Sequence, residues 1–284
     1  MNMVKRFIVI FMLLLNIQNM LYGIMGTQHT GMEKIMPKKT IIFDLEGVLF
    51  EEDKIAFAQK IGVGTLARYS LSSWSNPETV CLDTLQKISS QEANQPEVPL
   101  RHRDRIMPRC IVDWQLGNAT AQHVRQQLKS QLDTLHKQNF FRNDQEKDII
   151  TQILDISINP DHLAEIAKPV PAMVNLLKHL HDHGYQLFIL SNLAQEPYAV
   201  LHREFPHITA LFQDIIISAN IKMLKPDKKI FEHIINTYAL NPQDCIFIDN
   251  QKENVVAAES LGIAGIIHKS PRATKNALAK LGIK

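Results

Sequence analysis

Carboxylates two positions apart follow an apolar segment near residue 44. Asp44 comes directly after residues 40–43, a run of β-branched and aromatic side chains typical of a buried strand, and Glu46 lies on the turn that follows. In open α/β sheets the carboxyl end of a strand faces the crevice in which ligands bind. A carboxylate there can attack an electrophile or hold a metal ion, and its neighbour can transfer a proton. A turn rich in Asp and Gly without catalytic use is the alternative interpretation.

Polar side chains follow later apolar segments in the same way. They are Ser191 and Asn192 after residues 186–190, Lys225 beyond residues 215–217, and Asp249 after residues 245–248. A hydroxyl and an amide can donate hydrogen bonds to an anionic group. Lys225 precedes Pro-Asp, a pair typical of a helix start, so we expect its ammonium group to stay near the sheet. These residues predict a nucleophile, anion donors, a fixed cation and a second carboxylate at one edge of a parallel sheet.

The elements that must position these residues are strands that alternate with helices. This alternation predicts an α/β fold with a doubly wound, Rossmann-like parallel sheet and right-handed crossovers. Residues 37–52 together with 166–284 form the predicted core, and residues 1–36 are a separate N-terminal segment and linker. The core is therefore expected to be interrupted by a large insertion after its first strand.

The insertion, residues 53–165, predicts an α-helical cap. It lacks alternating strand patterns, and residues 121–137 and 144–156 are examples of its predicted helices. The polar segment 89–104 contains Pro residues and predicts a loop or mobile flap. Trp114 lies in this region, where it either packs in the interior or lines the substrate pocket. The cap would supply the contacts that select a substrate.

The order of the strand-end motifs resembles that of the haloacid dehalogenase superfamily, whose members are mostly Mg²⁺-dependent phosphatases. The resemblance rests on Phe-Asp-Leu-Glu-Gly-Val-Leu at 43–49, Leu-Ser-Asn at 190–192, Lys-Pro-Asp at 225–227 and Phe-Ile-Asp-Asn at 247–250. It extends from about residue 38 to the C-terminus, and the spacing is that of the subgroup with a helical cap between the first and second motifs. These motifs are specific for the superfamily and not for a substrate.

The resemblance implies a catalytic role for several strand-end residues. Asp44 would attack phosphorus and form an aspartyl-phosphate, while Glu46 would protonate the leaving alcohol and then deprotonate the hydrolytic water. Ser191 and Lys225 would bind the transferring phosphoryl group, and Asn192 would support the same substrate-binding pocket. The predicted function is therefore a phosphatase that hydrolyses a small phosphomonoester, with a small phosphorylated metabolite as its partner.

The cofactor that the resemblance implies is Mg²⁺. Its ligands would be the carboxylate of Asp44, the backbone carbonyl of Glu46 and the side chain of Asp249, since Mg²⁺ prefers hard oxygen ligands and keeps several waters. Asn250 stands where the family commonly has a second acid, which predicts either weaker Mg²⁺ binding or an altered hydrogen bond. Glu253 either compensates or is a solvated charge at a helix N-terminus.

Other functions stay open on the sequence. The family usually has Asp where this chain has Glu46, a change that some members share. Dehalogenases of the same superfamily use the aspartate against carbon without a metal and lack an acid two residues later, so Glu46 and Asp249 favour phosphate. A catalytically weak protein that binds a phosphorylated ligand or a partner is a further alternative. A phosphoryl-transferring mutase is another.

The N-terminal segment predicts export or membrane anchoring through residues 1–26. Lys5 and Arg6 precede the apolar residues 7–15, the layout of a signal peptide. Apolar character continues weakly to about residue 25, so an anchor is the second interpretation. Membrane contact is expected only through this segment. The alternative is a cytoplasmic enzyme whose translation starts at Met32 or Met36.

Composition excludes some classes of function. The formal net charge is +2 and the basic residues do not form a stripe, so nucleic-acid binding is not indicated. The cysteines Cys81, Cys110 and Cys245 are three in number and lack the spacing of a metal site. The length is sufficient for one core with an inserted smaller domain.

Overall fold

The structure, a computed structural model, describes residues 39–72, 76–92, 100–102 and 104–283. In chain order the strands are β1 Thr40–Phe43, β2 Phe50–Glu52, β3 Arg101–His102, β4 Arg105–Ile106, β5 Ala167–Pro169, β6 Gln186–Ser191, β7 Asp214–Ile217, β8 Cys245–Asp249 and β9 Ala264–Ile267.

Helices connect these strands. In chain order they are α1 Lys54–Ile61, α2 Val63–Ser72, α3 Pro77–Ser90, α4 Arg109–Gln115, α5 Ala121–Lys137, α6 Asp144–Ile158, α7 Pro160–Ile166, α8 Pro171–Asp182, α9 Gln195–Glu204, α10 Pro206–Thr209, α11 Ser218–Ile221, α12 Lys228–Thr237, α13 Lys252–Glu259 and α14 Pro271–Lys280, with a 3-10 turn at Pro242–Asp244.

The core is a five-stranded sheet in the order β7-β6-β1-β8-β9. All neighbouring strands are parallel. From β1 the chain moves to β6 and β7 on one side, and it then returns to β8 and β9 on the other side. The direction therefore reverses at β1, which is where open α/β sheets form their ligand crevice. The predicted α/β fold class is confirmed.

Alternating side chains of each strand bury on opposite faces of the sheet. In β1, Ile41 and Phe43 pack with apolar residues of α8 and α14, such as Leu177 and Leu278. Ile42 instead packs on the other face, against α12 and α13. Because a strand has a period of two, an unbroken apolar strand needs helices on both sides. The result is the predicted doubly wound arrangement.

The helices between β2 and β5 have a hydrophobic core of their own. In α5 the buried positions Val124, Leu128, Leu132 and Leu135 recur every three to four residues and form one helix face. The Thr120 side chain accepts a hydrogen bond from the first turn of α5 and caps it. The helix predicted at residues 121–137 is confirmed, and the one predicted at 144–156 is confirmed as α6, two residues longer.

The prediction of a loop at 89–104 was partly wrong. Helix α3 continues to Ser90, and β3 pairs with β4 in a short antiparallel hairpin within the predicted all-helical insertion. Long-range contacts with α3 hold the hairpin: Arg105 Nε donates to Asp83 and the Ile106 backbone N–H donates to Gln86. These two-residue strands are too short to show alternation. Residues 93–99 lie outside the described part of the chain.

Strands β2 and β5 join the insertion to the core. They pair antiparallel, with Phe50 opposite Pro169 and Glu52 opposite Ala167. The predicted domain limits, 53 and 165, fall beside this pair, and they stay a prediction.

The predicted N-terminal segment, residues 1–36, lies outside the described residues. Within the described ranges, none of the helices combines the length and the apolar character needed to cross a bilayer. The predictions of export, anchoring or an internal start therefore stay predictions.

Candidate active site

Asp44 lies at the carboxyl end of β1, in the centre of the sheet. Its backbone N–H donates to Ile248 O of β8 at 2.9 Å, so the residue keeps its place between the strands. The side chain is buried, and its Oδ1 accepts hydrogen bonds from Ser191 Oγ at 2.8 Å and Lys225 Nζ at 2.9 Å. Among the described residues no group bonds to Oδ2. One carboxylate oxygen is thus anchored, and the other can act on a ligand.

Lys225 connects the two carboxylates of the site. Its buried ammonium group lies 2.9 Å from Asp44 Oδ1 and 2.7 Å from Asp249 Oδ2. Burial alone would lower the pKa of Lys225, but the charges of Asp249 and Asp44 reverse this effect and raise it. Lys225 is therefore a fixed cation at neutral pH, as the sequence predicted for its position near the sheet.

The Asn192 side chain makes hydrogen bonds with both the backbone N–H and the backbone carbonyl of Lys225. Its Oδ1 accepts from Lys225 N at 2.8 Å, and its Nδ2 donates to Lys225 O at 2.9 Å. Both ends of the amide are therefore engaged with the protein. The predicted roles of Asn192, which are support of the pocket and direct substrate binding, stay predictions.

Asp249 ends β8 with no exposed surface. Its Oδ1 accepts from the Gln251 backbone N–H at 2.7 Å, and its Oδ2 accepts from Asn254 Nδ2 at 2.9 Å as well as from Lys225. Asn254 lies on the first turn of α13, so the start of this helix fixes the carboxylate. A buried charge with this number of donors is held in one orientation.

The charge balance of the site shows in the pKa of Asp44. The pKa is raised to about 6, mainly by burial; the charge of Lys225 opposes the rise, and the charge of Asp249 adds to it. The Ser191 hydroxyl also favours the carboxylate and lowers the value. Burial thus holds the pKa of Asp44 above its ordinary value, and Lys225 and Ser191 limit the rise.

Glu46 lies beyond the anchored part of the loop. It is exposed, and no side chain among the described residues bonds to its carboxylate. The next residue, Gly47, has a φ of +74° and packs against Asn250, whose Nδ2 would lie 2.1 Å from a Cβ at position 47. Only glycine permits this approach. The Asn250 side chain therefore packs against the turn from which Glu46 projects.

The residues present fit a divalent cation with oxygen ligands. Among the described residues, the two buried carboxylates of Asp44 and Asp249 share one cation, Lys225, so this part of the site carries an excess of negative charge. The raised pKa of Asp44 reflects this excess together with burial. In the described part of the chain no three His, Cys, Asp or Glu side chains form a closed cluster. A Mg²⁺ ion held by few protein ligands, with several waters, matches this set.

The structure brings together Asp44, Ser191, Lys225 and Asp249, with Asn192 behind them and Glu46 on the adjoining turn. No role was predicted for Ser218, although it directly follows β7 and Ser191 is the last residue of β6. Ser218 is buried, accepts from Leu193 N at 2.9 Å and donates to Gln115 O of the insertion at 2.6 Å. Its position at a strand end was the available signal.

Sequence comparison identifies relatives with a named activity. The chain is 31% identical over 99 residues to the sesquiterpene phosphatase astK of Aspergillus oryzae, a match that covers 35% of this chain and 50% of that protein. It is 29% identical over 94 residues to the drimenol cyclase drtB of Aspergillus calidoustus, covering 33% of this chain and 18% of that protein. The chain thus spans half or less of the curated relatives that it matches.

Solved structures share the fold. A Porphyromonas gingivalis protein described as a predicted haloacid dehalogenase (HAD)-like family hydrolase superposes with a TM-score of 0.52 at 17% identity, covering 88% of this chain and 100% of that chain. The HAD family enzyme bt-2542 of Bacteroides thetaiotaomicron, solved with magnesium and inorganic phosphate, gives a TM-score of 0.50 at 16% identity and covers 82% and 94%.

A family comparison covers most of the molecule. The profile of the haloacid dehalogenase-like hydrolases matches residues 38–262, which include the whole parallel sheet up to β8 and every strand-end residue of the site. The chain therefore belongs to the haloacid dehalogenase-like hydrolase family.

Proposed function

We propose that the protein is a Mg²⁺-dependent phosphatase that hydrolyses a small phosphomonoester through an aspartyl-phosphate on Asp44. The observation that carries the proposal is the state of this carboxylate. It is buried, anchored through Oδ1 by Ser191 and Lys225, and without a partner at Oδ2 among the described residues. An oriented carboxylate with one free oxygen is suited to in-line attack.

In the first half-reaction, Asp44 Oδ2 attacks phosphorus while the bond from phosphorus to the ester oxygen breaks. The leaving alkoxide takes a proton from Glu46, so the alcohol departs neutral and Glu46 becomes a carboxylate. Ser191 Oγ and Lys225 Nζ, which lie within 3 Å of Asp44, are placed to donate to the phosphoryl oxygens. The product of this step is the aspartyl-phosphate.

In the second half-reaction, Glu46 accepts a proton from a water molecule whose oxygen attacks phosphorus. The bond between phosphorus and Asp44 breaks, inorganic phosphate leaves, and Glu46 is protonated again. Glu46 is exposed, and its carboxylate bonds to no side chain of the described residues. It can therefore contact the leaving alcohol in the first half-reaction and the water in the second. Its extra methylene, relative to the usual Asp, extends this reach.

Mg²⁺ would be held by Asp44, Asp249 and the Glu46 backbone carbonyl, and when bound it neutralises charge on the phosphoryl oxygens. The sharing of one cation by two buried carboxylates supports this assignment. The magnesium and phosphate in bt-2542, and the activity named for astK, are consistent with it.

The test is hydrolysis of an aryl phosphate by the full chain with Mg²⁺, with chelator, and in the variant Asp44→Asn. We expect activity only with the metal, and a loss of at least about a thousandfold in the variant at unchanged thermal stability. A matched control is Asp182→Asn at the exposed end of α8. Turnover retained by Asp44→Asn would exclude the mechanism.

Two panels extend this test. Sugar phosphates, nucleotides and a C15 isoprenyl phosphate would define the substrate class, the last because astK is named a sesquiterpene phosphatase. A 2-haloacid without metal tests the dehalogenase alternative, in which Asp44 attacks carbon. Folded protein inactive on both panels, but still binding inorganic phosphate, would support a binding protein instead.

A further inference from the structure

Core side chains satisfy the carbonyl groups at the C-terminal end of α4. Lys222 Nζ donates to Leu116 O and Gly117 O, each at 2.7 Å, and Ser218 Oγ donates to Gln115 O at 2.6 Å. The last carbonyls of a helix lack intrahelical partners and carry partial negative charge, so a cation and a hydroxyl are suitable partners. These donors come from α11 and the residue after it, at the carboxyl end of β7.

The beginning of α5 is held by a carboxylate of the core. Glu196, on the first turn of α9, accepts from Trp114 Nε1 at 2.7 Å and from the Ala121 backbone N–H at 2.9 Å. One carboxylate therefore connects the end of α4 and the start of α5. We call Glu196, Ser218 and Lys222 with their partners the cap–core junction.

The junction is closely packed. Gly117 has a φ of +66°, and a Cβ at this position would lie 2.7 Å from Ala219 O and 2.8 Å from Lys222 Nζ. Ala194 and Leu224 of the core pack into the hydrophobic cluster of the insertion. The corner between α4 and α5 thus rests directly on the segments that follow β6 and β7.

Hydrogen bonds connect the junction with the candidate active site. Ser218 Oγ, which donates to Gln115 O, accepts from Leu193 N at 2.9 Å. Leu193 follows Asn192, whose amide holds both backbone groups of Lys225. Lys225 in turn contacts both buried carboxylates. A displacement of the α4–α5 corner therefore acts on the loop that fixes the cation.

We propose that Glu196, Ser218 and Lys222 are positioning residues, which seat the helical insertion on the strand ends and so place the phosphoryl site for turnover. This inference rests on the proposed function for its kinetic part only. None of the three residues touches Asp44, so they act through the insertion and through the loop at Asn192.

The first experiment uses Trp114 as a reporter in the full chain. The sequence contains two tryptophans, and Trp74→Phe leaves Trp114, which is 8% exposed. In this background we expect Lys222→Met to increase acrylamide quenching several-fold, although the hydrogen bonds of Lys222 go to Leu116 O and Gly117 O and not to the indole. Glu196→Ala should have the same effect, Lys222→Arg should restore protection, and Lys275→Met, which removes an exposed charge on α14, should change nothing.

The second experiment separates positioning from binding. On an aryl phosphate, kcat/KM of Lys222→Met should fall about tenfold, because misplacement far from the reacting atoms is costly. Inhibition by inorganic phosphate should weaken by no more than about twofold, because Ser191 and Lys225 are retained and only the loop that carries Asn192 is displaced. Lys222→Arg should recover the rate.

Several results would overturn the inference. The first is acrylamide quenching of Lys222→Met equal to that of Lys275→Met. The second is increased quenching of Lys222→Met with an unchanged kcat/KM. The third is inhibition by inorganic phosphate that weakens by the same factor as kcat/KM falls. If the parent protein shows no turnover, the proposed function fails. The quenching comparison, which needs no activity, then still decides whether the junction seats the insertion.

Discussion

The strand-end site and the helical insertion differ in how far their ion pairs are exposed to solvent. At the strand ends, Lys225 and Asp249 have side chains exposed by 1% and 0%, and each makes short contacts with more than one partner. In the insertion, Arg125 and Asp155 form a pair of similar length, but their side chains are 36% and 39% exposed. Solvent therefore has access to the second pair and not to the first.

This difference separates charge used for chemistry from charge that maintains a surface. The desolvation energy of a buried ion pair can exceed the Coulombic attraction between its two charges, so a protein retains such a pair where fixed charge is useful. An exposed pair contributes little to stability and is easily replaced. The comparison predicts that matched substitutions in the two regions differ strongly in their effects.

The largest difference is expected between Lys225→Met and Arg125→Met. The first leaves two buried carboxylates without their cation, and we expect a loss of about 3 kcal/mol in the free energy of unfolding and nearly all activity. The second should cost less than about 1 kcal/mol. Urea unfolding of the two variants in the presence of chelator measures the loss in the free energy of unfolding for each. Equal losses would contradict the distinction between the two regions.

Glu46→Gln should reduce activity without affecting stability. The amide cannot transfer the proton in either half-reaction, and we expect kcat to fall by about a hundredfold or more, with aspartyl-phosphate accumulating. Acid quenching with radiolabelled substrate would trap the intermediate. The exposed neighbour Glu51 supplies the control Glu51→Gln, and an equal loss in both variants would contradict the role of Glu46.

Ser191→Ala should have the smallest effect, and a characteristic one. The hydroxyl stabilises the Asp44 carboxylate and lowers its pKa, so its removal should raise that pKa. Since the reaction needs the ionised carboxylate, the acid limb of the kcat/KM profile should move to higher pH, with a decrease of about tenfold at the plateau. A reduced plateau without this movement would show that Ser191 contacts only the phosphoryl group.

The strand ends could be predicted from the sequence because their signals are local. The apolar strands that precede Asp44, Ser191 and Asp249 are short unbroken runs, and the residue after each run must lie at the edge of the sheet. The position of Lys225 near the same edge was predicted as well, but its contact with both carboxylates was not. The sequence did not predict that Asn192 holds the Lys225 backbone, since this depends on the path of one loop.

The cap–core junction could not be predicted because its partners are far apart in the chain. Ser218 and Gln115 are separated by 103 positions, and neither lies in a pattern that marks a contact. The hairpin of β3 and β4 was missed for a related reason, since contacts with α3 hold its polar two-residue strands. Tertiary contacts, and not local propensity, decide such segments.

The pairing of β2 with β5 has a consequence for how this architecture can change. Because Glu52 lies opposite Ala167 in an antiparallel ladder, the chain leaves and re-enters the core at neighbouring points, as it would in an ordinary hairpin. The insertion between these two points is more than a hundred residues long, but it takes the place of a single turn between two strands. A change in the length of the insertion can therefore leave the order and the pairing of the five parallel strands unchanged.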